Sequence, residues 1–186
     1  MTLARRTGCP LTVDDWVQAG FALLSEGGPN ALRIGRLCER LEVTKGSFYW
    51  HFTDMCAYRT ALSAAWADLH DERRQRFEFL RAAGGRERLE EMIQALIRPD
   101  HWALERAMRI WAMTDESIQQ SVRLSDERVL SEVRLAFLDC GFDDEEATLR
   151  SSVLFATGVG LLHEAPVTHE PPAPLRGNVL DLMLRR

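Results

Sequence analysis

Val43-Thr44-Lys45-Gly46-Ser47-Phe48-Tyr49-Trp50-His51-Phe52-Thr53 is the stretch from which the rest of the chain is best read. Taken as a short helix begun after Glu42, its spacing turns Val43, Phe48 and Phe52 inward and leaves Lys45, Tyr49 and, one turn apart, Ser47 and His51 on outward positions. Basic, hydroxyl and aromatic groups then share one exposed surface. That chemistry suits duplex DNA: an ammonium and hydroxyls donate to phosphate oxygens, and Thr44 or Tyr49 offers apolar contact to a thymine methyl. Lys45 is the only lysine among the chain's 23 basic residues, the other 22 being arginine. The residues alone also fit an ordinary amphipathic helix with exposed aromatics.

The segment upstream narrows the choice. Ile34, Leu37, Cys38 and Leu41 recur at i, i+3, i+4 and i+7, the buried stripe of a helix whose polar face carries Arg36, Glu39 and Arg40. With a turn near Glu42 and Val43, this helix and the next form a helix-turn-helix, whose second member enters the major groove while the first crosses the backbone. A further helix precedes them, opened by a capping box at Thr12 and Asp15, carrying Val13, Trp16, Val17, Leu23 and Leu24 on one face, and closed by Gly27, Gly28 and Pro29. Gly46 either leaves close approach to DNA unobstructed or lets a neighbouring helix pack against it.

Residues 12–62 resemble the N-terminal DNA-binding domain of the TetR family of transcriptional regulators, whose Tyr-x-His-Phe signature is met here as Tyr49-Trp50-His51-Phe52. The resemblance implies an all-α fold in two parts. Residues 1–55 would be a three-helix DNA-binding domain, a connecting helix would run from 54 to about 82, and residues 56–186 would be a helical effector-binding and dimerisation domain. Residue chemistry and resemblance together give a DNA-contacting set of Arg33, Thr44, Lys45, Gly46, Ser47, Tyr49, Trp50 and His51. Two positions depart from the family pattern. Glu42 stands where Gly is usual, and would cost roughly 1–2 kcal/mol in a left-handed conformation, so a differently shaped turn is expected. Met55 stands where Lys is usual, which shifts phosphate anchoring to Arg33 or the N-terminal arm with Arg5 and Arg6. That arm reads equally as a solvated terminus.

A net charge of −5 argues at first against a nucleic-acid partner. Residues 1–55, however, hold six basic and six acidic groups, while residues 56–186 hold 17 and 22 and carry the whole surplus. Phosphate would repel the body, so docking through the N-terminal end is favoured. No run of about 18 apolar residues and no apolar core near the N-terminus points to a membrane or secretory segment, so a cytoplasmic protein is expected. Cys9, Cys38, Cys56 and Cys140 lack metal or disulfide spacing, and Cys38 and Cys56 are expected to be small buried apolar residues.

Beyond the head the pattern stays helical. Tyr58, Ala61, Leu62, Ala65, Trp66 and Leu69 line a helix capped by Thr53 or Asp54; later stripes include Leu89 to Ile97, Leu104 to Trp111 and Ile118 to Phe137. The helix opened by Asp143 or Asp144 is apolar nearly all round between Ser151 and Leu162, which a monomer's surface helix should not be. After a Pro-rich loop (Pro166, Pro171, Pro172, Pro174) comes a last helix with Leu175, Val179, Leu180, Leu182 and Met183. By resemblance these last two large helices would pair two chains into a homodimer. Met92, Trp102, Met108, Trp111 and Phe137 are candidate lining for an effector pocket, and equally fit plain core. Metalloprotease, phosphate-loop, dinucleotide and nucleophile-elbow patterns are absent, so neither enzymatic chemistry, metal nor cofactor is expected. The expected function is a homodimeric repressor that binds a pseudo-palindromic operator and is released by a small molecule. The alternative keeps the DNA-binding head and makes the body a protein-interaction or architectural module without such a ligand.

Overall fold

Thr12 starts the first helix as the capping box requires: its hydroxyl accepts from the Asp15 N–H at 3.3 Å and its own N–H donates to the Asp15 carboxylate at 2.7 Å. A computed structural model describes residues 11–79, 84–96, 99–164 and 173–185; the N-terminal arm, the Pro-rich loop and the expected helix end near residue 82 lie outside these. The chain order is α1 (Val13–Gly27), a 3-10 turn (Pro29–Ala31), α2 (Ile34–Leu41), α3 (Lys45–His51), α4 (Met55–Phe79), α5 (Gly85–Leu96), α6 (Pro99–Ala112), α7 (Glu116–Asp139), α8 (Asp144–Glu164) and α9 (Ala173–Leu184). No strand occurs among the described residues. No helix among them is long and apolar enough to cross a membrane.

Each helix end has a local cause. Gly28, at φ 65° and ψ −167°, takes a backbone shape open only to glycine and donates to the Leu24 carbonyl at 2.8 Å, ending α1. Asp54, one of the two expected caps, accepts from the Ala57 N–H at 2.8 Å and opens α4. Asp115 caps α7 through the Ser117 and Ile118 amides, and Asp143 caps α8 through the Glu146 amide.

Two apolar clusters hold these helices. The first joins Trp16, Phe48, Phe52 and Tyr58 to Leu62 and Trp66 of α4, Met108 and Trp111 of α6, and Ile118 and Val122 of α7. The second joins Leu89 and Met92 of α5 to Trp102, Val133, Ala136, Phe137, Leu162 and Leu180. Helices α6 and α7 therefore belong to both, one end in each. The packing around the helix-turn-helix runs well past residue 55.

Where α4 crosses α1 the approach is close. The Tyr58 hydroxyl donates to the Trp16 carbonyl at 2.9 Å, and a Cβ on Gly20 would overlap that hydroxyl. Burial pushes the Tyr58 phenol well above its ordinary value. Higher along α4, the buried Glu105 of α6 accepts from Trp66 Nε1 at 3.0 Å and meets His70 Nε2 at 2.6 Å.

Two expectations about side chains need correction. Cys56 is exposed rather than buried, because it lies two residues, roughly 200° around α4, from the inward-facing Tyr58. Val13 lies on the surface in the first turn of α1, although Trp16, Val17, Leu23 and Leu24 are buried as expected.

Candidate nucleic-acid interface

The reading head is built from the inside out. Phe48 and Phe52 are buried, their rings 5.4 Å apart, and both lie edge-on to Trp16, at 5.5 and 6.4 Å between centroids. Tyr58 closes the group from α4, 5.7 Å from Phe48 and 5.0 Å from Phe52. Edge-to-face rings add about 0.5–1.5 kcal/mol per pair beyond burial, so α3 is fixed at one angle to α1. Its opposite side is exposed among the described residues. Trp50 is 80% exposed and Tyr49 57%.

The turn that sets α3 against α2 is the one that Glu42 occupies. Glu42 lies at φ 54° and ψ 44°, fully left-handed, and the Val43 N–H donates to the Cys38 carbonyl at 2.9 Å while the Glu42 N–H donates to Glu39 at 3.2 Å. This is the hydrogen-bond arrangement of a Schellman helix end, usually made with glycine. The expectation of a differently shaped turn is therefore corrected. The left-handed turn is kept in spite of the side chain, because its two backbone bonds and the burial of α3 outweigh a cost of roughly 1–2 kcal/mol.

Of the proposed contacting set, Arg33, Thr44, Lys45, Gly46, Tyr49 and Trp50 are exposed; Thr44 is the N-cap of α3 and Lys45, Gly46, Tyr49 and Trp50 lie on it, while Arg33 stands at the start of α2. Ser47 and His51 are half-buried rather than outward. They occupy the flank of α3 that leans towards α1, where the His51 ring meets Trp16 at 6.0 Å and Trp50 at 4.7 Å. Arg33 is the N-cap residue of α2, and its side chain makes no capping bond. Gly46 is open: a Cβ there would meet only Thr44 Oγ1, at 3.6 Å, so the reading in which a neighbouring helix packs against it does not apply. Met55 is half-buried and packs against the first cluster.

Arg40 is committed elsewhere. Its guanidinium grips the Glu26 carboxylate with two bonds, at 2.5 and 2.7 Å, which ties α2 to the end of α1 and holds the Glu26 carboxyl below its usual range. Sequence reasoning missed the support of His51 by Trp16, because 35 residues separate them and no local pattern marks the pair.

The five candidate effector-lining residues are all buried and fall in two clusters. Met108 and Trp111 are in the first cluster; Met92, Trp102 and Phe137 are in the second. An open cleft lies between the start of α5, the end of α7 and Leu184, and none of the five lines it. Among the described residues no group of three or more His, Cys, Asp or Glu is arranged to hold a metal ion.

Comparison with known proteins agrees with this geometry. Residues 17–57 match the family described as bacterial regulatory proteins, tetR family. No curated protein matches the chain. Among solved structures, a transcriptional regulator from Rhodococcus sp. Rha1 aligns at a TM-score of 0.73 with 20% identity, over 94% of each chain. GusR of Salmonella enterica aligns at 0.72 with 16% identity, over 96% of this chain and 97% of that one. FadR of Bacillus subtilis, solved in complex with stearoyl-CoA, aligns at 0.64 with 14% identity, over 93% and 98%. At these identities the likeness is one of fold, and it extends through the helical body as well as the head.

Proposed function

We propose, because this chain belongs to the TetR family of bacterial regulatory proteins and is a DNA-binding transcriptional regulator, that it acts as a homodimeric repressor on a pseudo-palindromic operator. The head of residues 1–55 grips DNA, α4 connects it, and residues 56–186 pair two chains and receive the signal. The observation that carries this reading is the exposed side of α3, where Lys45, Tyr49 and Trp50 stand clear of a fully packed aromatic core. Lys45 supplies the phosphate charge and Tyr49 a hydroxyl donor; Arg33 adds a second cation from the start of α2. Two such heads in one dimer would enter successive major grooves about 34–36 Å apart, or a multiple of that distance.

Pairing through α8 and α9 is supported by apolar side chains left in water by a single chain: Leu149 and Val153 on α8 and Leu182 on α9. Two copies burying these faces would remove the exposed stripe. A small molecule bound in the body would favour the dimer geometry that cannot reach both half-sites, and a coupling of about 1–3 kcal/mol is enough for such control. FadR of Bacillus subtilis was solved in complex with stearoyl-CoA, so a protein of this fold can bind a ligand. The second reading, a body that interacts with proteins and takes no small ligand, is favoured by the burial of the five candidate lining residues in two separate cores.

Sequencing the genomic fragments that the purified protein retains tests the regulator reading, with an inverted repeat as the expected result and no enrichment as the failure. Lys45→Ala should lower the slope of log affinity against log salt by about one. Tyr49→Phe should weaken binding without changing the unfolding midpoint. Release of the retained fragment by a small-molecule extract separates the two readings of the body: release supports the effector, and persistence supports the interaction module.

A further inference from the structure

We propose that this head selects its DNA sequence mainly through thymine C5-methyl groups, with Trp50 as the reader and His51 as the group that holds it in position. The inference rests on the DNA-binding reading and names the feature of DNA that the head reads.

The geometry starts from the helix period. At roughly 100° per residue, the ridge of α3 directly opposite Phe48 and Phe52 is Gly46 and, one turn on, Trp50. Lys45 and Tyr49 flank it on one side, Ser47 and His51 on the other. The residue farthest from the protein core is thus a bare indole, and the turn before it carries no side chain. A Cβ at Gly46 would meet only Thr44 Oγ1, at 3.6 Å, so among the described residues the space beside the indole is open there.

What the stretch lacks points the same way. Guanine is read by Arg or Lys, adenine by Asn or Gln, and cytosine by Glu or Asp, each through hydrogen bonds to base edges. Of these six types residues 43–53 contain only Lys45, at the first position of α3, which the DNA-binding reading gives to phosphate. The hydroxyls of Thr44, Ser47 and Tyr49 bond to bases or phosphates without strong preference, and Lys45 is a point charge. Of the two arginines on α2, Arg40 is held by Glu26 and Arg36 lies near enough to lower the same carboxyl, while Arg33, the N-cap, opens the helix that crosses the backbone. Apolar contact is then the most discriminating contact left, and in the major groove the thymine methyl is the apolar feature.

The mount is rigid. Trp50 stands perpendicular to His51 at 4.7 Å, His51 lies on Trp16 at 6.0 Å, and Trp16 is wholly buried. Tyr49 is braced in the same way, edge-on to Phe48 at 5.5 Å. Aromatic side chains with only two rotatable bonds lose little entropy on contact.

The test uses the full-length protein and a random duplex library. Retained duplexes are sequenced, and the preferred one is resynthesised with deoxyuridine replacing each thymidine in turn, which deletes one methyl group. At one or more positions of each half-site the wild type should lose roughly fourfold in affinity, the worth of about one buried methylene-sized group. Trp50→Ala should bind the thymidine and deoxyuridine duplexes alike at that position. His51→Ala should flatten the methyl effect, and His51→Phe, which keeps a ring, should restore it. Indifference of the wild type to every methyl overturns the inference, as does a full methyl effect in Trp50→Ala. Retention of a duplex with no methyl effect removes this inference alone; retention of no duplex removes the DNA-binding reading with it.

Discussion

The two cores of this molecule bury their surfaces by different means. Around α3 the core is a set of aromatic rings packed edge to face, Trp16, Phe48, Phe52 and Tyr58, with the Tyr58 hydroxyl bonded to a backbone carbonyl. In the body the core is largely aliphatic and admits charge: Arg88 is almost wholly buried, bonded to Glu132 and, at 3.0 Å, to Asp139. Rings meeting at fixed angles make a stiff platform for the reading ridge. A buried ion pair instead fixes one mutual arrangement of α5 and α7, because any other arrangement strands a charge. Helices α6 and α7 run through both cores, so displacement in one must be felt in the other.

Substitutions can break or sharpen that contrast, and the largest effect should come from the ring core. Phe48→Ala should cost about 3–5 kcal/mol in urea unfolding and abolish DNA retention. Its exposed neighbour, as Tyr49→Ala, should cost no more than about 0.5–1.5 kcal/mol, the worth of its edge-on contact with Phe48. Similar losses at the two positions would erase the division of α3 into a structural and a reading side. Next, Arg88→Met should cost about 3 kcal/mol by stranding buried Glu132, and adding Glu132→Leu should recover much of the loss.

A smaller effect tests the polar contact between α4 and α6. Burial works to raise the Glu105 carboxyl, but the hydrogen bond and charge of His70, with Arg109 and the Trp66 N–H, hold it below its ordinary range. A carboxyl lowered by folding contributes stability above its unfolded value, and that contribution is lost as pH falls through the folded one. Glu105→Gln should therefore flatten the acid side of the stability profile. An unchanged profile would mean that the contact does not contribute as an ionised group. The smallest effect is a gain: Glu42→Gly should stabilise the fold by up to about 1 kcal/mol, the left-handed strain relieved less the entropy of glycine. A loss on that substitution would mean that the Glu42 side chain contributes more than its backbone costs.

The helical architecture was legible because period and caps are local. Thr12, Asp54 and Asp143 begin helices where the sequence suggests, and the Ile34 to Leu41 stripe turns Leu37 and Cys38 into the core. What was not legible depends on partners distant in the chain. Ser47 and His51 occupy outward positions by simple spacing, yet they are half-buried because α1 brings Trp16 against that flank. Cys56 was misread because an apolar residue near the start of α4 could face either way until Tyr58 fixes the register. The aromatic and Met residues taken as pocket lining shared a helical pattern with core residues, and only the packing divides them between two clusters. Glu42 is a different case. The rule that assigns a left-handed turn to glycine is a preference of a few kcal/mol at most, and tertiary packing overrides it here.

Hydroxyl-radical footprinting of the full-length protein on its retained duplex tests most directly whether α3 is a reading head carried twice by a dimer. Two protected patches on one face of the duplex, their centres about 10 base pairs apart or a multiple of that, are the predicted result. A single unpaired patch, or even protection along the whole fragment, would contradict it.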